Sequence, residues 1–426
     1  MNFILRDYLE NHRPETASKK VFIFTLTYPC DIHGKLISDN ADGEAINYTY
    51  DNVGNQLTMT DSTGTTTRTY DELGRVLTKT APLIGTTTFT YDQTAGLTAG
   101  FSAEVSTDPK GNVTTRVYDK SGRLYQVKDG STAAATYTYY ANGNRQKVEY
   151  PGGATEEYTY YANNLLHTLT NKKGITTLEA YSYAYDAAGN MSSKADRKGT
   201  TSYTYDGLNR LLTVIEPGGK VTGYSFDEAG NRIQQQETSG SDVTITSYSY
   251  NGQNRLVATE TSLNSALTGG ESYYYDANGN MVSSMPYSLD EASGTADSSL
   301  RLFALGDSGT PKSAGAVYEY DNRNNMVKAV SGSDTTLSKY NGDGLRVEKK
   351  VNGNACHYAY EYDKIVLEVD GSNTQTARNI YGLSLVKRTA GAESYSYLYN
   401  GHGDVTALLN SSGNIAVQYY STMPSA

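Results

Sequence analysis

Tyr183-Ala184-Tyr185-Asp186-Ala187-Ala188-Gly189-Asn190 is the stretch that decides the fold, because the chain repeats it. The core of the pattern is Y-D-x-x-G-[N/R]. It stands as YDNVGN from Tyr50, YDELGR from Tyr70, YDKSGR from Tyr118, YDAAGN from Tyr185 and YDANGN from Tyr275. Weaker copies begin at Tyr91, Tyr139, Tyr160, Tyr205, Phe226, Tyr250, Tyr320, Tyr340 and Tyr399. Tyr50 to Tyr70, and Tyr185 to Tyr205, are 20 residues; Tyr70 to Tyr91, Tyr118 to Tyr139, Tyr139 to Tyr160 and Tyr205 to Phe226 are 21. Self-similarity at a fixed period is the mark of a repeat architecture.

Within a copy the residues ahead of the turn alternate. Tyr48 and Tyr50, Tyr137 and Tyr139, Tyr158 and Tyr160, and Tyr203 and Tyr205 are each two apart, with Thr between. Aromatic and β-branched residues at period two signal a strand, and the paired tyrosines share one face. The Asp that follows is a turn opener that accepts from amides ahead of it. The turn residue, fourth after the tyrosine, is Gly in nine of the 14 copies and Asn at Asn164, Asn209, Asn254 and Asn324; only Ala95 departs. Gly and Asn enter the left-handed region cheaply, so their exchange reads as a backbone requirement and not a chemical one. A type I turn followed by a left-handed bulge residue is a common hairpin connection. A second strand such as Arg210-Leu211-Leu212-Thr213-Val214 follows, then a second turn such as Asp61-Ser62-Thr63-Gly64 or Pro217-Gly218-Gly219. The fold class expected is all-β: tandem hairpins forming a long curved antiparallel sheet, a partial spiral shell. The repeat motif is carried by Tyr50, Asp51, Gly54; Tyr70, Asp71, Gly74; Tyr118, Asp119, Gly122; Tyr185, Asp186, Gly189; Tyr205, Asp206, Asn209; and Tyr275, Asp276, Gly279.

The expected organisation is a non-repetitive segment at 1–34, a repeat array at 35–282, and a Ser/Gly/Asp/Ala-rich insertion at 283–316. Further repeats at 317–420 and a tail at 421–426 follow. The insertion falls where Tyr275 to Tyr320 stretches to 45 residues; Tyr91 to Tyr118 stretches to 27. Lys19-Lys20, the short apolar run Val21 to Leu26 and then Cys30 faintly resemble a lipoprotein signal, but the residues before Cys30 are not small. The alternatives are a cap or a mis-started frame.

With 39 Tyr, 7 Phe and no Trp, tyrosine replaces the usual aliphatic core. The net charge of −10 argues against nucleic-acid or anionic-membrane partners. No run is long enough for a transmembrane helix. Cys30 and Cys356 allow one disulfide without requiring it. The histidines, His12, His33, His167, His357 and His402, show no ligand spacing, so no metal or cofactor is expected. His402, in a turn beside Asp404, is the most site-like of them. No nucleophile elbow or phosphate loop is present, and the catalytic expectation is none.

The copies YDNVGNQLTMTD, YDELGRVLTKT and YDAAGNMSSKAD resemble the YD repeats of Rhs proteins, wall-associated proteins, toxin-complex cocoons and teneurins. Tyr340 to Val347 with His357 to Tyr360 resembles the approach to the Rhs-associated core, and Tyr399 to Leu408 its last segment. The resemblance spans roughly residues 35 to 420. It implies a β-strip spiralling into a hollow shell, which in toxin members holds a C-terminal toxic domain freed by autoproteolysis. After Tyr419-Tyr420 the sequence departs from that pattern, with no cleavage motif and no toxin. Asp108-Pro109-Lys110-Gly111 superficially resembles a cleavage sequence but reads as an ordinary second turn.

The leading expectation is therefore a non-enzymatic shell segment of a secreted or cell-surface bacterial protein, wrapping or presenting a C-terminal toxin cargo. The alternatives are an adhesion module binding carbohydrate through its tyrosines, or a gene fragment. Fourteen copies of two strands at about 4.8 Å make a strip about 130 Å long, about one turn of a barrel roughly 40 Å across. Such a strip is expected to be C-shaped, unable to retain cargo alone, and prone to edge-to-edge self-association.

Overall fold

A computed structural model describes residues 29–287, except 32 and 42, and residues 315–419. The signal-like segment before residue 29, most of the insertion and the tail at 421–426 lie outside the described residues. The rest is one antiparallel sheet of 34 strands, in which each strand pairs with its neighbours in sequence. A three-residue 3-10 turn, Pro151–Gly153, is the one helical element among the described residues. The boundary drawn at residue 283 moves. The strand Met281–Tyr287 runs through it, and Ser283 pairs with Val317 of the strand Ala316–Tyr320.

Each YD hairpin carries a bulge at its tyrosine. The register slips between Thr49 and Tyr50, Thr69 and Tyr70, Thr204 and Tyr205, and Tyr274 and Tyr275. Some second turns close without a slip, as where Asp61 faces Gly64 and Asp196 faces Gly199, while others carry one, as between Ala133 and Ala135, Asn171 and Lys172, and Thr261 and Ser262. The extra residue that recurs once per repeat at the YD edge bends and twists the strip. On the opposite face from the tyrosines, threonines pair across strands: Thr49 with Thr58 at 2.6 Å, and Thr69 with Thr78 at 2.7 Å. Such pairs each contribute about 0.2–1 kcal/mol.

The bend is tighter and the strip longer than the sequence estimate. The strand Thr132–Tyr139, tenth in order, touches Leu385–Ala390, the thirty-first, twenty-one strands on. Twenty-one strands at about 4.8 Å make a circuit of about 100 Å, a ring about 32 Å across. With 34 strands the strip passes one full turn and overlaps itself, so the C-shape expected from the sequence is replaced by a lapped spiral. Contacts between the two passes rise together along the chain. Arg323 meets Asp39, Asp343 meets Arg68, Glu361 meets Arg116, Arg378 meets Asp129, and Gly401 meets Tyr183. Where the passes overlap, Val127, Val148, Leu169 and Tyr183 of the first bury against Ile380, Val386, Leu398 and Leu409 of the second.

The extra strands arise from copies hidden in the sequence. Tyr362-Asp363 makes a two-residue turn closed by Glu361 and Lys364, and Tyr381 pairs with Leu385 across a short turn. Cys356 is a free thiol, so the disulfide the sequence allowed between it and Cys30 is not formed.

Candidate functional site

The chemistry of this chain is concentrated in the repeat turn and in the seam between passes. Asp51 Oδ1 accepts from the amides of Val53 (3.0 Å) and Asn55 (2.8 Å), while its Oδ2 accepts from the Asn55 side chain at 2.8 Å. Asp71, Asp119, Asp186 and Asp206 repeat this geometry with Arg75, Arg123, Asn190 and Arg210, and Asp276 takes both the amide and the side chain of Asn280. The Asn or Arg at the fifth position after the tyrosine therefore locks the Asp that opens the turn. The Asn190 side chain holds the Asp186 carboxyl below the usual carboxylate range; for Asp206 the Arg210 amide does so first. Gly54, Gly74, Gly122, Gly189 and Gly279 lie at φ between 74° and 94°, and Asn209 at 61°.

Tyrosine ties each copy to the one before. Tyr50, Tyr70, Tyr185, Tyr205 and Tyr275 each donate their hydroxyl to a backbone carbonyl of the preceding copy, at 2.7 to 3.0 Å. The acceptors are Leu36, Gln56, Leu166, Met191 and Leu256.

The Gly/Asn exchange at the turn residue corrects the reading that it is a backbone matter alone. Asn164, Asn209, Asn254 and Asn324 each accept, at 2.9 to 3.1 Å, from the fifth-position Asn of the preceding copy: Asn144, Asn190, Asn231 and Asn280. Where the preceding copy has Arg, its guanidinium covers the next aromatic ring, Arg123 over Tyr139 at 4.8 Å, Arg210 over Phe226 at 4.6 Å, Arg255 over Tyr275 at 5.7 Å. The turn residues there are Gly143, Gly230 and Gly279, and a Cβ on Gly279 would touch Arg255 at 3.4 Å. In the sequence each of these Asn turn residues follows a fifth-position Asn, although Asn55 and Asn325 precede Gly74 and Gly344.

Two substitutions separate the backbone and contact effects. Gly189→Val has free space around its Cβ but must hold φ +89°, and is expected to cost about 1–3 kcal/mol. Asn209→Gly keeps the backbone and loses one exposed hydrogen bond, an expected cost of about 1 kcal/mol or less. Urea midpoints measure both, and an unaltered midpoint for Gly189→Val contradicts the turn assignment.

Residues outside the motif close the seam. Glu156, 1% exposed, takes the Tyr158 hydroxyl at 2.6 Å and, from the second pass, the Tyr399 amide at 3.1 Å. Burial pushes its carboxyl up, against those hydrogen bonds. The Gly401 amide donates to the Tyr183 hydroxyl at 2.7 Å, and Gly342 to Asp61 at 2.7 Å. His402 packs its ring nitrogen 3.4 Å from Met191 sulfur; Asp404 beside it accepts from Asn400. Asp108 caps its own turn through Lys110 and Asn112.

Burial pushes Tyr91, Tyr181, Tyr203 and Tyr399 up to about 12, and Tyr137, Tyr158 and Tyr183 further. Unfolded tyrosine titrates at about 10, so above about pH 10 the folded chain holds protons the unfolded chain has lost, and stability falls as pH rises. Alkaline titration is expected to show tyrosinate absorbance growing in step with loss of β circular dichroism. A titration completed near pH 10 with the dichroism unchanged contradicts this. Among the described residues no group of three His, Cys, Asp or Glu is placed to hold a metal, and no helix is long and apolar enough to cross a membrane.

Comparison with known proteins gives the same pattern a name. Residues 83–291 match the family model of the teneurin YD-shell. The tRNA3(Ser)-specific nuclease WapA of Bacillus spizizenii is 36% identical over 109 residues, and the tRNA nuclease WapA of Bacillus subtilis 31% over 109. Each match covers 24% of this chain, which spans 5% of the length of those relatives. Among solved structures, the Photorhabdus luminescens Tc holotoxin pore has a TM-score of 0.49 at 15% identity, covering 91% of this chain and 24% of that one. The TcdB2-TccC3 crystal structure has 0.48 at 16%, covering 90% and 24%. The teneurin YD-shell model thus matches just under half of the chain, and the same hairpin chemistry continues on both sides of the matched region.

Proposed function

We propose that this chain is a non-enzymatic wall segment of a secreted or cell-surface bacterial protein of the polymorphic-toxin kind, which wraps or presents a C-terminal effector. The observation that supports the reading is the lapped seam, where a full turn of hairpins is fastened to the next by buried side chains. A wall of hydrogen-bonded hairpins excludes protease and solvent by geometry and needs no catalytic group. Among the described residues Ser38–Ala41 and Ile415–Gln418 are the outermost strands of the sheet, where further coils or a second copy would add.

The test is a protease-sensitive reporter domain fused behind Ala426. Digestion of the reporter is expected to be slower than for the free domain, and to return to the free rate when the seam is broken by Arg378→Ala. Equal rates in all three overturn wrapping. Light scattering on the unfused chain reports edge association.

A further inference from the structure

The sixth residue after each tyrosine starts the second strand and points to the tyrosine face. It is aliphatic at Val76, Leu124, Leu166, Met191, Leu211, Leu256, Met281 and Met326. Gln56, Arg145, Arg232 and Arg346 break this series, and of these Arg232 is the one that lies in a cleft of its own. It sits in an open cleft of about 270 Å³ with Leu211, Tyr224, Phe226, Gly230 and Tyr250. The second pass of the strip covers the equivalent face of strands around Arg145, whose charge is met there by Glu156. Among the described residues no segment of the second pass lines the Arg232 cleft.

Arg232 has no carboxylate partner among the described residues. Its guanidinium lies between two rings, 4.8 Å from the Tyr248 centroid and 5.6 Å from that of Tyr224. The carboxylates nearby are already engaged. Glu237 is held by Lys220 at 2.8 Å and by Gln235 at 2.8 Å, and Asp227 by Asn231 at 2.9 Å. The Tyr250 hydroxyl is spent on the Arg232 carbonyl at 3.0 Å, so what that residue offers the cleft is its ring. Gly230 has nothing within 4 Å of where a Cβ would stand, which leaves the mouth open.

We propose that this cleft binds an acidic sugar residue of a glycan. The flat C–H face of a pyranose packs on aromatic surface, and its carboxylate pairs with the guanidinium through two parallel hydrogen bonds. The volume is close to that of small-ligand clefts, about 300 Å³ and upward, and fits one ring. An acidic peptide would satisfy the charge but presents no such flat face.

The test is calorimetry with a uronic-acid oligosaccharide, the neutral oligosaccharide of the same linkage, and a glutamate-rich peptide. Arg232→Leu is the variant, because Leu is the residue the repeat uses at this position and the fold tolerates it elsewhere. The acidic oligosaccharide is expected to bind, the neutral one at least about ten-fold more weakly, and Arg232→Leu to lose about ten-fold or more in affinity for the acidic one. Circular dichroism is expected to leave the variant unchanged. Absence of binding by the acidic oligosaccharide, equal binding of the neutral one, tighter binding of the peptide, or retention of affinity by a folded Arg232→Leu overturns the proposal.

Discussion

Arg378→Ala is expected to split unfolding into two steps. The Arg378 side chain is 8% exposed and reaches from the second pass into the first. It bonds the Asp129 carboxylate, the Thr114 hydroxyl at 2.8 Å and the Val113 carbonyl at 3.0 Å, with Asp108 3.7 Å from its Nε. Lys387 adds a second cation on Asp129 at 2.7 Å. Truncation takes the donor from Thr114 and Val113 and one of the two cations from Asp129, a loss of about 1–3 kcal/mol. Neighbouring units of a repeat array share only local contacts, so the loss is felt first at the seam. Urea titration with hydrogen exchange is expected to show strands 375–418 released before the rest. One transition at the original midpoint would refute the seam as a fastening.

The same seam has an acid limit. Burial raises the Asp129 carboxyl, but the hydrogen bonds from Lys387 and Arg378 outweigh it and hold it below the usual range. Its contribution is therefore present above about pH 4 and lost as pH falls through the lowered value.

Gly152→Ala is expected to unseat the last hairpin, and Gly153→Ala to spare it. Both glycines are left-handed, at φ 78° and 79°. A Cβ on Gly153 meets nothing within 4 Å, so that change costs only backbone strain, about 1–3 kcal/mol. A Cβ on Gly152 would lie 2.4 Å from the Gly413 amide nitrogen and 2.6 Å from the Ser412 carbonyl oxygen, both backbone. The turn at 410–413 must then lift off, taking with it the Lys173 contacts to Ser412 and Asn414. The difference between the two thermal midpoints isolates the contact between passes. Equal midpoints would mean that the turns do not touch in solution.

What the sequence made legible was what each copy does within itself. Asp51 and Gly54 act within five residues, and their spacing alone marks the hairpin. The seam was illegible because its partners lie far apart in sequence: Glu156 and Tyr399 are 243 residues apart, Arg378 and Asp129 249. No period connects them; they meet only because the strip curls at a rate set by its bulges. Those bulges were readable as turns but not as an angle, so the circuit was drawn too wide. The copies at Tyr360 and Tyr381 were missed because their turns are shortened, which removes the Gly spacing that revealed the others.

The matched turns bear on how such a gene changes length. Tandem copies are gained and lost by unequal crossing-over, which splices one copy onto a distant sibling. A splice that preceded Asn209 with anything but Asn would strand its side-chain oxygen. The heritable module is therefore offset from the visible one: it runs from the fifth position of one copy to the turn residue of the next, and breakpoints are tolerated best between those two positions of a single turn.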